Sequence, residues 1–198
     1  MPIDFGPEIA ELAARYGEPR RIEALIHDGF LDPIHKPDRV GEVCMVVRRP
    51  SGNVLLAIKT FYPRGAHRLP TGGIRHGERI RDALLRETTE ETGLDTAVRR
   101  FLAHVIYRPA DGSLSSASGA PLFHTFALLL DETGGTLGVQ DEAERIEDFV
   151  EVDPTRLVEV AERLERVTSA RSEDIGGDWA DWGRFRAVVH RVVHEALA

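Results

Sequence analysis

Glu87, Glu90 and Glu91 lie within the run RETTEET at residues 86–92, separated by spacings of three and one. Projected at about 100° per residue, they fall on one face of a helix. Ile80, Ala83 and Leu84, one or two turns earlier, project into the same sector. A solvated acidic face lies opposite an apolar stripe, not along its continuation. The three carboxylates therefore point toward the body of the protein, where uncompensated negative charge is costly. They call for a cation, and clustered oxygen ligands suit Mg²⁺ or Mn²⁺. Arg86 precedes Glu90 by four residues and can hold that carboxylate in register. A glycine turn (Gly72, Gly73, Gly77) leads into this helix and Gly93 ends it. Glu78 begins it, where negative charge is favourable.

The whole stretch, GGIRHGERIRDALLRETTEETGL at 72–94, resembles the Nudix box, G-x5-E-x7-R-E-U-x-E-E-x-G-U with U an apolar residue. It matches at Gly72, Glu78, Arg86, Glu87, Glu90, Glu91, Gly93 and Leu94, and departs at Thr88, where an aliphatic residue is usual. At average residue frequencies, seven exact identities arise by chance on the order of once in 10⁶ such chains. The resemblance implies an α/β (α+β) fold, a Nudix-type α/β/α sandwich with a mixed β-sheet. It also implies a Mg²⁺-dependent (or Mn²⁺-dependent) hydrolase that cleaves the pyrophosphate of a nucleoside diphosphate linked to another moiety. Glu87 and Glu91 are the primary metal ligands on this reading, with Glu90 third. The Gly72 carbonyl is a further ligand, since a glycine permits close approach. Glu87 or Glu144 acts as general base, and Glu78 divides its role between capping and outer-shell metal binding. A homodimer is in keeping with the family.

The rest of the chain must position these groups. At 198 residues it suits one domain with additions. An N-terminal helical extension is expected over 1–38, the hydrolase domain over 39–158, and C-terminal helices over 159–198. Residues 6–30 read as helical, with Ile9, Leu12, Ala13 and Tyr16, then Ile22, Leu25 and Ile26, interrupted at Gly17 and Pro19. Such helices either cover the sheet or form a dimer contact. A proline-limited linker follows at 32–37. Strands are expected at 42–48, 54–60, 97–107 and 122–130, with turns at 50–53 and 131–135. Residues 154–168 and the segment from Asp178 read as amphipathic helices, Pro154 suiting a first turn.

Between the second strand and the box lies FYPRGAHRLPTGG, whose Arg68, more than Arg64 or His67, is a candidate for a substrate phosphate. Arg108 is another, at the head of a long polar loop at 108–120. Pro109 stands about fifteen residues beyond the box, where relatives acting on ADP-ribose carry a proline. The resemblance thus ranks ADP-ribose or a nucleoside diphosphate sugar first. Dinucleoside polyphosphates, nucleoside triphosphates and a non-catalytic nucleotide-sensing module are the alternatives. The acidic run after residue 140 resembles the family's later segment, with Glu144 the matching residue and Glu142 its neighbour.

Composition excludes several classes. A net charge of −8 argues against a general nucleic-acid surface. No apolar run approaches a membrane span. The one cysteine, Cys44, lies in an apolar run and reads as a buried strand residue, in keeping with a reducing cytoplasm. His190 and His194 are spaced i, i+4 but lack the glutamate of a zinc-protease helix, and read as a surface pair. Trp179 and Trp182 read as core.

Overall fold

The structure, a computed structural model, describes residues 4–26, 39–109 and 123–198. The expected linker at 32–37, the end of the helical extension and most of the 108–120 loop lie outside them. Helix α1 (Gly6–Tyr16) is followed by strand β1 (Arg20–Ile26), then β2 (Arg39–Arg48), β3 (Val54–Lys59) and β4 (Thr71–Arg75). Helix α2 (Ile80–Thr92) carries the carboxylates. Strands β5 (Leu94–Pro109), β6 (Phe123–Gly135) and β7 (Ile146–Val152) complete the main sheet. Helix α3 (Leu157–Glu165), a short ribbon of β8 (Arg171–Ser172) and β9 (Gly177–Asp178), and helix α4 (Trp179–Leu197) end the chain.

The sheet runs β1-β5-β6-β2-β3-β7, with β4 also paired to β2. It is mixed: β1 with β5 and β2 with β6 are parallel, and the other pairs antiparallel. Strand β2 shows why the molecule has three layers. Val43, Met45 and Val47 pack with α1 and α2, while Cys44 and Val46 pack with α3 and α4. All five are fully buried, as befits a strand covered on both faces. The result is an α/β/α sandwich with a helix at each end of the chain. Among the described residues, no helix is long and apolar enough to cross a membrane.

One edge of β2 forks. Gly41–Cys44 pair with β4, whereas Arg48 pairs with Val54 of β3. The strands diverge between, and Ala57 and Arg68 exchange backbone hydrogen bonds across the gap. Helix α2 enters from Gly77, in the left-handed region at φ 79°, and stops at Gly93, also left-handed at φ 68°. Its buried face is Ile80, Ala83, Leu84, Glu87, Thr88 and Glu91. Thr88 adapts to burial by donating its hydroxyl to the Leu84 carbonyl at 2.7 Å.

Three expectations need correction. Residues 20–26 are not helical but form β1, parallel to β5. Ile22, Ala24 and Ile26 turn inward while Leu25 is 62% exposed, a period of two that seven residues cannot distinguish from a helical turn. The turn expected at 131–135 is the continuation of β6, whose Gly134 and Gly135 absorb a register shift against Asp95 and Leu94. The helix expected at 154–168 begins as a 3-10 turn at Pro154–Arg156 and becomes α-helical at Leu157.

Candidate active site

Helix α2 packs against the glycine strand β4, and the contact is made by a carboxylate. A Cβ at Gly72 would stand 2.0 Å from Glu87 Cδ, so only glycine admits the Glu87 side chain there. Oxygens of Glu87, Glu90 and Glu144 lie within 4.8 Å of one another. Glu144 comes from the opposite wall, a 3-10 turn at Glu142–Glu144 that Asp141 caps by accepting from the Ala143 amide at 2.9 Å. Glu91 is 1% exposed beneath them, and its Oε1 has no hydrogen-bond partner. Close approach at Gly72, three convergent oxygens and one orphaned buried oxygen fit a hard divalent cation.

Two cations of the chain hold the cluster in place. Arg86 donates to Glu78 through Nε at 2.7 Å and Nη2 at 2.9 Å, and to the Gly73 carbonyl at 2.9 Å. Its Nη1 donates to Glu87 at 2.7 Å and Glu90 at 2.9 Å. Glu78 is thereby a strut: its other contact accepts the Arg75 amide at 2.9 Å, and it precedes the helix instead of capping it. Lys59, at the end of β3, donates to Glu144 at 2.7 Å and lies 3.7 Å from Glu91.

These placements separate the carboxyl groups electrostatically. Burial raises Glu87, against the opposing pull of Arg86. Burial pushes Glu91 up to about 8, with Lys59 and Arg68 only partly compensating. Burial acts on Glu144 too, but Lys59 beside it prevails and holds its carboxyl below the usual value. Glu144 is the carboxylate kept ionised by its surroundings.

The cleft beside this cluster, of about 280 Å³, is also lined by Arg39, Arg68, Arg145 and Arg186. Arg68 is buried, donating to the Leu69 carbonyl at 2.7 Å and to the Tyr62 hydroxyl. Arg186, on α4, donates to both oxygens of buried Glu42 at 2.8 and 2.9 Å and to Thr71 at 3.1 Å. Arg145 adopts φ 54°, stacks over Phe61 at 4.3 Å and pairs with Asp174 at 3.1 Å. The cleft thus brings carboxylates and guanidinium groups together, an arrangement suited to a cation beside a polyphosphate.

Of the residues singled out from sequence, Gly72, Arg86, Glu87, Glu90, Glu91, Glu144 and Arg68 converge here. Arg108 does not line the cleft; it pairs with Glu23 of β1 at 3.0 Å. Pro109 ends β5. His190 is not on the surface as expected: it is fully buried, its Nε2 accepting the Leu69 amide at 2.9 Å and its Nδ1–H donating to the Arg186 carbonyl at 2.8 Å. Sequence reading passed over Lys59, Glu42 and Arg186. The available signal was a charge at the end of VLLAIK, one heading an apolar run, and polar residues on the apolar face of α4.

The fold is a three-layer α/β/α sandwich whose carboxylate helix is cradled by a glycine strand. The chain matches the NUDIX domain over residues 38–171 and belongs to that family. It is 30% identical over 106 residues to an ADP-ribose pyrophosphatase of Methanocaldococcus jannaschii, covering 52% of this chain and 57% of that protein. It is 36% identical over 73 residues to Nudix hydrolase 2 of Arabidopsis thaliana, covering 36% and 26% respectively. The matches thus span less than two thirds of either relative. Among solved structures, the E. coli ORF135 protein aligns with a TM-score of 0.46 at 23% identity, covering 62% of this chain and 79% of that one. A NUDIX hydrolase from Nitrosomonas europaea aligns with a TM-score of 0.42 at 19% identity, covering 57% and 71%.

Proposed function

We propose that the protein hydrolyses the pyrophosphate bond of a nucleoside diphosphate linked to another moiety, with ADP-ribose or a nucleoside diphosphate sugar the first choice. The observation that carries this reading is the meeting, in one cleft, of convergent carboxylates with a wall of arginines. The name borne by the archaeal relative points to the same substrate class. A Mg²⁺ or Mn²⁺ ion would be held by Glu87, Glu90, Glu91 and the Gly72 carbonyl. When bound, such an ion neutralises charge on phosphate oxygens and acidifies a coordinated water.

The chain's own residues do the rest. Arg86 fixes the orientation of Glu87 and Glu90, so the cluster needs little rearrangement on binding. Glu144, kept ionised by Lys59, accepts the proton of the attacking water. Arg68, already fixed by Tyr62 and Leu69, presents its remaining donor capacity to a phosphate, and Arg39 flanks it over Gly73. Because Arg108 is paired with Glu23, Arg68 is the better of the two sequence candidates for this role.

A panel of ADP-ribose, NADH, diadenosine tetraphosphate, nucleoside triphosphates, coenzyme A and nucleotide sugars, each with Mg²⁺, tests the proposal. Hydrolysis of ADP-ribose at a kcat/KM at least tenfold above ATP and diadenosine tetraphosphate is expected. A smaller preference removes that ranking. Binding without turnover of any member would favour a nucleotide-sensing module instead.

A further inference from the structure

Behind the aromatic wall of the cleft lies a second, more open groove of about 530 Å³. Phe61 and Tyr62 line both spaces, so the two adjoin at these rings. Trp179 backs the wall, 5.8 Å from Tyr62 between ring centroids. The groove's outer side carries Arg64 from the loop before β4, and Arg163 and Arg166 from the end of α3. All three are exposed.

The acidic residues of α3 offset these arginines only in part. Glu159 is taken by Arg156 at 2.8 Å, and Glu165 by Arg191 at 2.7 Å. Glu162 reaches Arg166 only at 3.7 Å. Among the described residues, neither Arg64 nor Arg163 forms an ion pair. Three guanidinium groups gathered on one groove of a chain with net charge −8 make a local positive field. Guanidinium groups favour phosphate through forked hydrogen bonds.

We infer that this groove is a second anion subsite, which takes a phosphate carried by the substrate away from the scissile pyrophosphate. The inference rests on the proposed function, since it places the pyrophosphate in the neighbouring cleft. The recognised chemistry is a phosphate monoester on either ribose of a nucleoside diphosphate sugar. The aromatic rim of Phe61 and Tyr62 supports the intervening part of the ligand.

Calorimetric titration in chelator, where no turnover occurs, tests the assignment. ADP-ribose is compared with its 2′-phosphate and its 1″-phosphate, two ligands that place the added phosphate at opposite ends. One of the two is expected to bind the wild-type protein at least tenfold tighter than ADP-ribose, about 1.4 kcal/mol. The combined substitution Arg64→Gln, Arg163→Gln and Arg166→Gln should bring that ratio to near one and leave ADP-ribose binding unchanged. The preference should also fall as salt is raised. A ratio below tenfold for both ligands, a preference that survives the triple substitution, or no measurable binding of either phosphorylated ligand overturns the inference. Cleavage is measured separately with Mg²⁺. A phosphate-dependent affinity without hydrolysis would remove the catalytic reading and retain the subsite.

Discussion

Glu91 shows how burial and function are set against each other at a single residue. Its carboxyl is 1% exposed, raised to about 8 by burial, and leaves one oxygen without a hydrogen bond, 3.7 Å from Lys59. A group in that position stabilises nothing by itself. Substituting Glu91→Gln is therefore expected to leave the melting temperature unchanged or higher in chelator, yet to lower kcat by at least about 10²-fold with Mg²⁺. Glu87→Gln should do the same to kcat. Near-normal turnover of Glu91→Gln would remove it from the metal site. This much was legible from helical spacing, because Glu87, Glu90 and Glu91 share one element and their geometry follows from its period. Lys59 and Arg186 were not legible. Each reaches the site from an element distant in sequence, and no local pattern fixes which distant side chains meet.

Helix α4 belongs to the site at the scale of elements. Arg186 and His190, one turn apart, bond Thr71 and the Leu69 amide, the residues just ahead of Gly72. The helix thereby steadies the glycine strand that faces Glu87. Its position depends on Gly183, where a Cβ would stand 2.2 Å from the Leu164 carbonyl of α3. Gly183→Ala is expected to cost about 1–3 kcal/mol through overpacking, read as a lower urea midpoint, and to lower kcat as Thr71 and Leu69 shift. An unchanged midpoint would mean that the α3–α4 contact is not tight. His190 also gives the element a pH dependence. Burial holds its imidazole neutral, with the pKa lowered from 6.5 to about 4, and burial lowers His104 and His124 to about 4 as well. The unfolded chain therefore takes up protons that the folded chain refuses between these values. The His190 contribution to stability is present above pH 6.5 and is lost as pH falls toward 4, by about 3 kcal/mol, opposite in sign to that of Glu91, whose raised carboxyl takes up a proton on folding. Denaturation followed from pH 7 to pH 4 checks this, and His190→Gln should flatten the decline. A slope identical to that of wild type would contradict it.

At the scale of the whole molecule, the layers were readable and the edges were not. Strands β2 and β6 announce themselves by apolar runs buried on both faces, and α3 and α4 by their apolar stripes. Strand β1 was misread because its seven residues carry too few apolar positions to fix a period. What settles them as a strand is the parallel partner β5. The assembled cleft gathers carboxylates that the unfolded chain keeps apart, so a cation should bind the folded chain in preference to the unfolded one. Adding Mg²⁺ to the chelated protein is expected to raise its melting temperature in proportion to the logarithm of concentration above the dissociation constant. The effect should be much smaller in Glu87→Gln.

On the proposed function, the Glu87–Glu90–Glu91 helix and Glu144 make a metal-assisted pyrophosphohydrolase site. Its most direct test is product analysis of ADP-ribose incubated with Mg²⁺, comparing wild type with Glu144→Gln and with wild type in excess EDTA. Wild type is expected to give AMP and ribose 5-phosphate in equal amounts, Glu144→Gln a kcat at least about 10²-fold lower, and the sample in EDTA no turnover until Mg²⁺ is restored. Full activity in the chelated sample, or undiminished activity of Glu144→Gln together with Glu87→Gln, would contradict it.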